Sequence, residues 1–142
     1  MVYDRQTGTR AGRESTGHGL PAPNTAGPLP TNLILGAGDA SDEDLLAGVE
    51  RGIWVTRFWY VNVVHTTQTV LTGMTRDGTF LIERGEIARP MRNLRFTTSV
   101  LDALASVERI GREPLLIQSW LGGNLIPALR VGRFTFTGAT EF

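Results

Sequence analysis

The sequence predicts an α+β fold: a mostly antiparallel β-sheet, or an open barrel-like meander, with two amphipathic helices packed against it. Three observations carry that prediction. Residues 71–87, LTGMTRDGTFLIERGEI, alternate strand-forming runs with two tight-turn signals. Residues 53–64, IWVTRFWYVNVV, are the most apolar strand candidate. Two further segments, 42–51 and 100–110, each follow a capping serine and repeat apolar residues at helical spacing.

Taken in order, residues 1–31 mix Gly8, Gly12, Gly17, Gly19 and Gly27 with Pro21, Pro23, Pro28 and Pro30, and hold few large apolar side chains. Such a segment cannot bury enough surface to fold alone. We read it as a Gly/Pro-rich loop laid on another surface rather than a free tail. Residues 32–142 are then a β-rich domain, part of a larger protein. Residues 31–35, TNLIL, are a short strand. Ser41 followed by Asp44 has the capping-box pattern, and Asp42, Glu43 and Asp44 complement the helix dipole. Leu45, Leu46 and Val49 form one apolar stripe, and Gly52 is expected as the stop.

In the strand 53–64, Trp54, Phe58 and Tyr60 alternate with Val55, Trp59, Val61 and Val63. Both faces are largely apolar, which predicts a central strand covered on both sides, or a face reserved for a partner. His65 to Gln68 connect it to a returning strand. Asp77-Gly78 supplies the positive φ angles of a two-residue hairpin turn, and Arg84-Gly85 repeats the device one strand later. Residues 79–83 between them have the β-branched and aromatic content of a half-buried strand. A strand over 91–96 follows Pro90. Ser99 then caps a helix in which Val100, Leu101, Leu104, Val107 and Ile110 recur, with Gly111 as its end. Residues 115–118 are a strand, Gly122-Gly123-Asn124 a flexible turn, and 125–131 and 133–137 the terminal strands. Phe134 and Phe136 point inward, with Arg133, Thr135 and Thr137 outward.

Composition excludes several function classes. Fourteen basic and fourteen acidic residues cancel, so no basic excess marks a nucleic-acid groove. There is no cysteine, which removes disulfides, thiolate zinc sites and a cysteine nucleophile. No secretory h-region opens the chain, and no apolar run approaches the ~20 residues that span a bilayer. We therefore expect a cytoplasmic protein without membrane or nucleic-acid partners.

Catalytic chemistry is thinly represented. The two histidines, His18 and His65, lie in separate loops and lack a helical i, i+4 partner, so no zinc ligand pattern forms. No Gly-x-Ser-x-Gly elbow is present, and Gly122-Gly123 lacks the Gly-Lys-Ser/Thr ending of a phosphate loop. We assign no catalytic and no metal residue. Ser15, Thr16, His18 and Asn24, on the polar loop, are candidates to line a substrate cleft. Trp54, Phe58, Trp59 and Tyr60 belong either to the core or to an interface, where Trp and Tyr are enriched. Arg89, Arg92 and Arg95 do not share a strand face and read as a solvated edge.

Six stretches carry a resemblance: ESTGH at 14–18, PLPTNL at 28–33, GDASDEDLLAGVERG at 38–52, VTRFWYVNVV at 55–64, LTGMTRDGTFLIERGEIARPMRNLRF at 71–96 and PALRVGRFTFTG at 127–138. In this order they resemble the C-terminal part of the TldD/PmbA family, the modulators of DNA gyrase. The resemblance implies a zinc-dependent protease system acting on unfolded or peptide substrates, in which a catalytic TldD-like subunit pairs with a non-catalytic TldE/PmbA-like one. The family's catalytic subunit carries an HExxxH helix upstream of the matched region and takes a cysteine ligand from the C-terminal region. This chain has no HExxxH, and its corresponding segment, 115–126, has no cysteine. No functional residue of the family can therefore be placed on it. The resemblance implies a non-catalytic TldE/PmbA-like branch, with no cofactor in this chain and zinc only in a TldD-like partner. The alternative is a stand-alone binding or scaffold remnant that forms homodimers.

Overall fold

A computed structural model describes residues 1–119 and 122–139; the last residues of the expected domain, 140–142, lie outside that description. In chain order the elements are α1 (Arg5–Ala11), β1 (Leu33–Ile34), α2 (Asp42–Leu46), β2 (Arg51–His65), β3 (Val70–Glu83), β4 (Glu86–Pro90) and β5 (Leu94–Ser99). They continue with α3 (Val100–Ala105), β6 (Val107–Ile110), β7 (Leu115–Ser119), β8 (Gly122–Ile126), β9 (Leu129–Val131) and β10 (Phe136–Ala139). The α+β class and the antiparallel preponderance match expectation, and no closed barrel forms among the described residues. The chain divides into two compact units, Met1–Gly36 with Pro114–Pro127, and Ala37–Glu113 with Ala128–Phe142.

The first unit contains a helix that the Gly/Pro composition concealed. Asp4 caps α1: its carboxylate accepts from the Thr7 backbone N–H at 2.6 Å and from the Thr7 hydroxyl at 2.7 Å, while the Asp4 N–H donates to Thr7 Oγ1 at 3.1 Å. This is a capping box with threonine in the place of the usual Glu or Gln. Gly12, at φ 62°, closes the helix in the left-handed conformation. A three-stranded sheet of order β1-β8-β7 completes the unit, with β1 parallel to β8 and β7 antiparallel to it. The glycines expected as a flexible turn lie inside β8. A Cβ on Gly122 would overlap the Thr31 carbonyl. Asn32 Oδ1 accepts from the Gly123 N–H at 3.0 Å and Asn124 Oδ1 from the Leu33 N–H at 3.1 Å, so two asparagines lock β1 to β8.

The second unit is built on β3. Its N-terminal half pairs with β5 and its C-terminal half with β4, while β2 runs antiparallel along both; β10 extends the sheet beyond β5. Arg84 and Gly85, at φ 51° and 81°, form the expected two-residue turn between β3 and β4. Asp77-Gly78 does not turn the chain. Both residues have positive φ, 60° and 139°, but they form a bulge in β3: Val55 pairs with Thr79 and Arg57 with Arg76, leaving the two opposite Thr56. The Thr56 hydroxyl stitches the bulge by donating to Gly78 O at 3.0 Å and Arg76 O at 3.3 Å. The dipeptide's conformational preference is obeyed, and the pairing on either side decides that it bends a strand instead of reversing it.

Other boundaries moved for similar reasons. The capping box of Ser41 and Asp44 forms at 2.9 and 3.1 Å, but α2 ends at Leu46. Ala47 leaves helical geometry, Gly48 takes φ 76°, and Gly52, the expected stop, is already in β2. The predicted helix 100–110 ends at Ala105, because Val107 and Ile110 pair with Val131 and Leu129 of β9. The strand foreseen over 125–131 is two, separated at Pro127, which has no N–H to give a ladder. Most consequential, β2 is not central: it is the edge of its sheet.

The core of this unit is Ala40, Leu45, Leu81, Ile82, Phe96 and Ala103. Phe134 and Phe136 turn inward as expected, with Arg133, Thr135 and Thr137 exposed. Beneath the sheet, buried Thr75 accepts from the Thr79 hydroxyl at 2.6 Å and from the Leu94 N–H at 2.9 Å. These bonds fix the crossing from β4 to β5.

Candidate functional site

Two surfaces come from the residues singled out in the sequence, one in each unit. In the first unit the polar loop is held by its own hydrogen bonds. The Tyr3 N–H donates to Thr16 Oγ1 at 2.7 Å, the Thr16 N–H to Tyr3 O at 2.9 Å, and Thr16 Oγ1 lies 2.8 Å from His18 Nδ1. Ser15 Oγ donates to Tyr3 O at 3.3 Å and accepts from the Gly17 N–H at 3.2 Å. A half-open hollow of about 290 Å³ is lined by Gly17, His18, Gly19, Leu20, Leu29, Thr31 and Asn32. Of the four candidate cleft residues, His18 lines this hollow and Thr16 orients its ring. Ser15 braces the loop. Asn24 does not line the hollow; it shapes a turn by accepting from the Ala26 N–H at 2.9 Å and donating to Gly27 O at 3.0 Å. The hollow can hydrogen-bond a ligand, but Ser15 is engaged with the backbone and not with His18, so the two make no nucleophile–base pair.

In the second unit the surface is the β2–β3 ribbon. Phe58 lies on its inner face, edge-on to Phe96 at 4.9 Å and stacked on Phe134 at 5.2 Å; Phe134 in turn meets Phe136 at 5.1 Å. Trp59, on the opposite face, is covered by two guanidinium groups, Arg57 at 4.7 Å and Arg76 at 4.8 Å from its ring centre. Asp77, presented by the bulge, pairs with Arg57 at 3.0 Å and reaches Arg76 at 3.7 Å. Tyr60 stands at φ 52° where Tyr60 and Val61 together oppose Gly73, and it is 74% exposed. Gly73 is obligatory there, since a Cβ would meet the Phe96 ring at 2.8 Å. Trp54 sits opposite Phe80, half-buried. The four aromatics therefore divide by contact: Trp54 is half-buried, and Phe58 packs on Phe96 and Phe134 while staying as exposed as Trp59, at 42%; Trp59 and Tyr60, with Val61, Val63 and Val64, are exposed without such ring packing among the described residues.

Sequence reasoning missed Arg57, Arg76 and Asp77 as one group. Their separation along the chain hides that Arg57 and Arg76 face each other across the ribbon. The signal available was local: an arginine two residues before a tryptophan on one strand, and an arginine beside Asp-Gly on the next. The carboxyls held below their ordinary range stand at helix starts: Asp4 by the Thr7 hydrogen bonds, Asp44 by those of Ser41, and Glu43, in the first turn of α2, by its own backbone N–H and then Ser41. Among the described residues no three His, Cys, Asp or Glu side chains come together as a metal site requires, and no helix is long and apolar enough to cross a membrane.

Residues 1–138 match the family model described as the PmbA/TldA metallopeptidase C-terminal domain. No curated protein matches the sequence. Among solved structures, the chain is similar to TldE from Thermococcus kodakarensis, with a TM-score of 0.79 and 19% identity over 97% of this chain and 31% of that one. It is similar to a candidate modulator of a DNA gyrase from Thermotoga maritima at 0.74 and 23%, covering 96% of this chain and 30% of that one. A further candidate modulator of DNA gyrase, from Bacteroides thetaiotaomicron, gives 0.69 and 24%, over 96% and 28%. The chain thus spans about three-tenths of the length of each.

Proposed function

Because the chain belongs to the PmbA/TldA metallopeptidase family, as its C-terminal domain, we propose that it serves a TldE/PmbA-like subunit of a zinc metalloprotease complex. In this reading it does no chemistry itself and supports a TldD-like catalytic subunit acting on unfolded proteins or peptides in the cytoplasm. The observation that carries the reading is the β2 edge, where Trp59, Tyr60, Val61, Val63 and Val64 are all exposed. A contiguous apolar edge of this kind is what a partner covers. The residues present do not fit a zinc site: there is no cysteine, the two histidines are remote in sequence, and no carboxylates converge on either among the described residues. Zinc, and the hydrolytic step, belong in this reading to the partner.

The hollow at His18 fits a supporting role in the same complex. Its Gly17 and Gly19 backbone, with Thr31 and Asn32, offers groups suited to an extended peptide rather than to one side chain. Co-expression with a TldD-like protein tests the proposal. We expect a stable complex, zinc recovered with the partner alone, and peptide cleavage only by the complex or the partner. Stoichiometric zinc and cleavage by this chain alone would overturn it. A homodimer that ignores the TldD-like protein would favour a stand-alone scaffold instead.

A further inference from the structure

We propose that the free edge of β2 between Arg51 and Trp59 takes up an extended, carboxylate-bearing strand, whose acidic side chain is received by the Arg57–Trp59–Arg76 stack. The inference deepens the subunit reading above and rests on it, because it states what the docking partner presents.

Charge is the first argument. From Arg51 to Arg76 the ribbon contains three arginines and a histidine and not one acidic residue. Arg57 and Arg76 stand directly opposite each other in the register, an arrangement that repels. Asp77 is the one carboxylate shared between them, at 3.0 and 3.7 Å, so the group keeps one uncompensated positive charge. Each guanidinium has five N–H donors, and both side chains remain about half exposed, 49% and 50%. The Trp59 ring holds both planes in place. A second carboxylate finds there two preoriented forks with donors to spare.

Backbone geometry is the second. Over 51–59 β2 itself carries no extra residue; the irregularity near Thr56 places its additional residues on β3. The side of β2 away from β3 has no strand partner among the described residues. Beyond Trp59 the strand is interrupted by its own bulges at 60–61 and at Val64, which break a ladder. The edge fit for strand addition is therefore short, and the arginine stack stands at its end. A second copy of this chain is a poor occupant, since it would lay one all-basic edge against another. A nucleic acid would leave the alternating N–H and C=O groups of the edge unmatched, whereas a polypeptide strand satisfies them.

Calorimetric titration of the full chain with a blocked peptide of alternating valine and glutamate, beside its valine–lysine counterpart, tests this, with amide exchange followed by NMR. We expect the glutamate peptide to bind, to protect amides within 51–59, and to weaken about tenfold in Arg57→Ala/Arg76→Ala, as two exposed charge-assisted contacts imply. Arg57→Lys/Arg76→Lys, which keeps the charge and the fold, should lie between. Equal binding of the lysine peptide, protection elsewhere, indifference to the arginine substitutions, or preferential binding of an oligothymidylate would each overturn the proposal. The two readings separate cleanly. If the peptide binds but no TldD-like protein co-purifies, the subunit reading fails alone. If the complex forms undiminished with Arg57→Ala/Arg76→Ala, the strand-docking inference fails alone.

Discussion

In the unit built on β3, Leu81, Ile82 and Phe96 are buried, and four phenylalanines touch ring to ring. In the unit that holds α1 and the β1-β8-β7 sheet, only Gly8 and Pro127 are buried among the described residues, while Leu33, Ile34, Leu115, Leu116 and Ile117 are exposed. The first is organised by excluded water. The second is organised by polar bonds along its backbone: Asp4 with Thr7, Tyr3 with Thr16, Asn32 and Asn124 across β1 and β8. A sheet is stable when at least one face is covered, so the contrast teaches that the second unit is an incomplete layer. Its apolar strands stay exposed, as do Tyr60 to Val64 of β2.

Substitutions can break or sharpen this contrast. The largest effect is expected from Phe96→Ala, at 3% exposure the hub of the aromatic cluster: a loss of about 4 kcal/mol in denaturant unfolding. Thr75→Val should cost about 2 kcal/mol, since it removes a buried hydroxyl and leaves the part-buried Leu94 N–H without that acceptor; double-mutant coupling with Thr79→Val would show whether the hydroxyl pair acts as one. In the other unit, Thr16→Val removes the bonds to Tyr3 and His18. About 1 kcal/mol is expected, read as faster amide exchange confined to the first residues of the chain. If Thr16→Val matched Phe96→Ala, the contrast between the units would be wrong.

Smaller still, Leu116→Lys should leave unfolding within about 0.5 kcal/mol, because Leu116 is 75% exposed, while raising solubility in light-scattering assays. The mildest test is acid. Asp4 and Asp44 have carboxyls lowered below 3.8 by their capping bonds. The stabilisation is thus present above that value and lost as pH falls through the lower, folded one. Each unit owns one such cap, so helical circular dichroism should decline in both together. Asp4→Asn and Asp44→Asn should each flatten part of that decline.

How much of this was legible beforehand follows from what each signal encodes. Ser41 with Asp44, Ser99, Arg84-Gly85 and the alternation of Phe134 and Phe136 are local statements, and all four appear as expected. Asp77-Gly78 encoded its dihedral angles but not its topology, which depends on Thr56 across the ribbon. Val107 and Ile110 kept helical spacing while Leu129 and Val131 drew them into a strand. The Asp4–Thr7 box was obscured by the glycines around it, and threonine at the third helical position is an unusual reciprocal partner. The arginine stack was invisible for the plainest reason: Arg57 and Arg76 are neighbours only once β2 and β3 pair.

The bulge at Asp77-Gly78 has a consequence for the order in which the sheet assembles. By bending β3 between its two partners, it lets one strand template β2 across a four-residue connection and β4 across a two-residue turn. Both closures are short and entropically cheap. The pairing of Phe96 with Phe136 must instead wait for a segment about 40 residues further on. The bent strand is thus able to pair with β2 and β4 before β10 and Phe136 join the sheet.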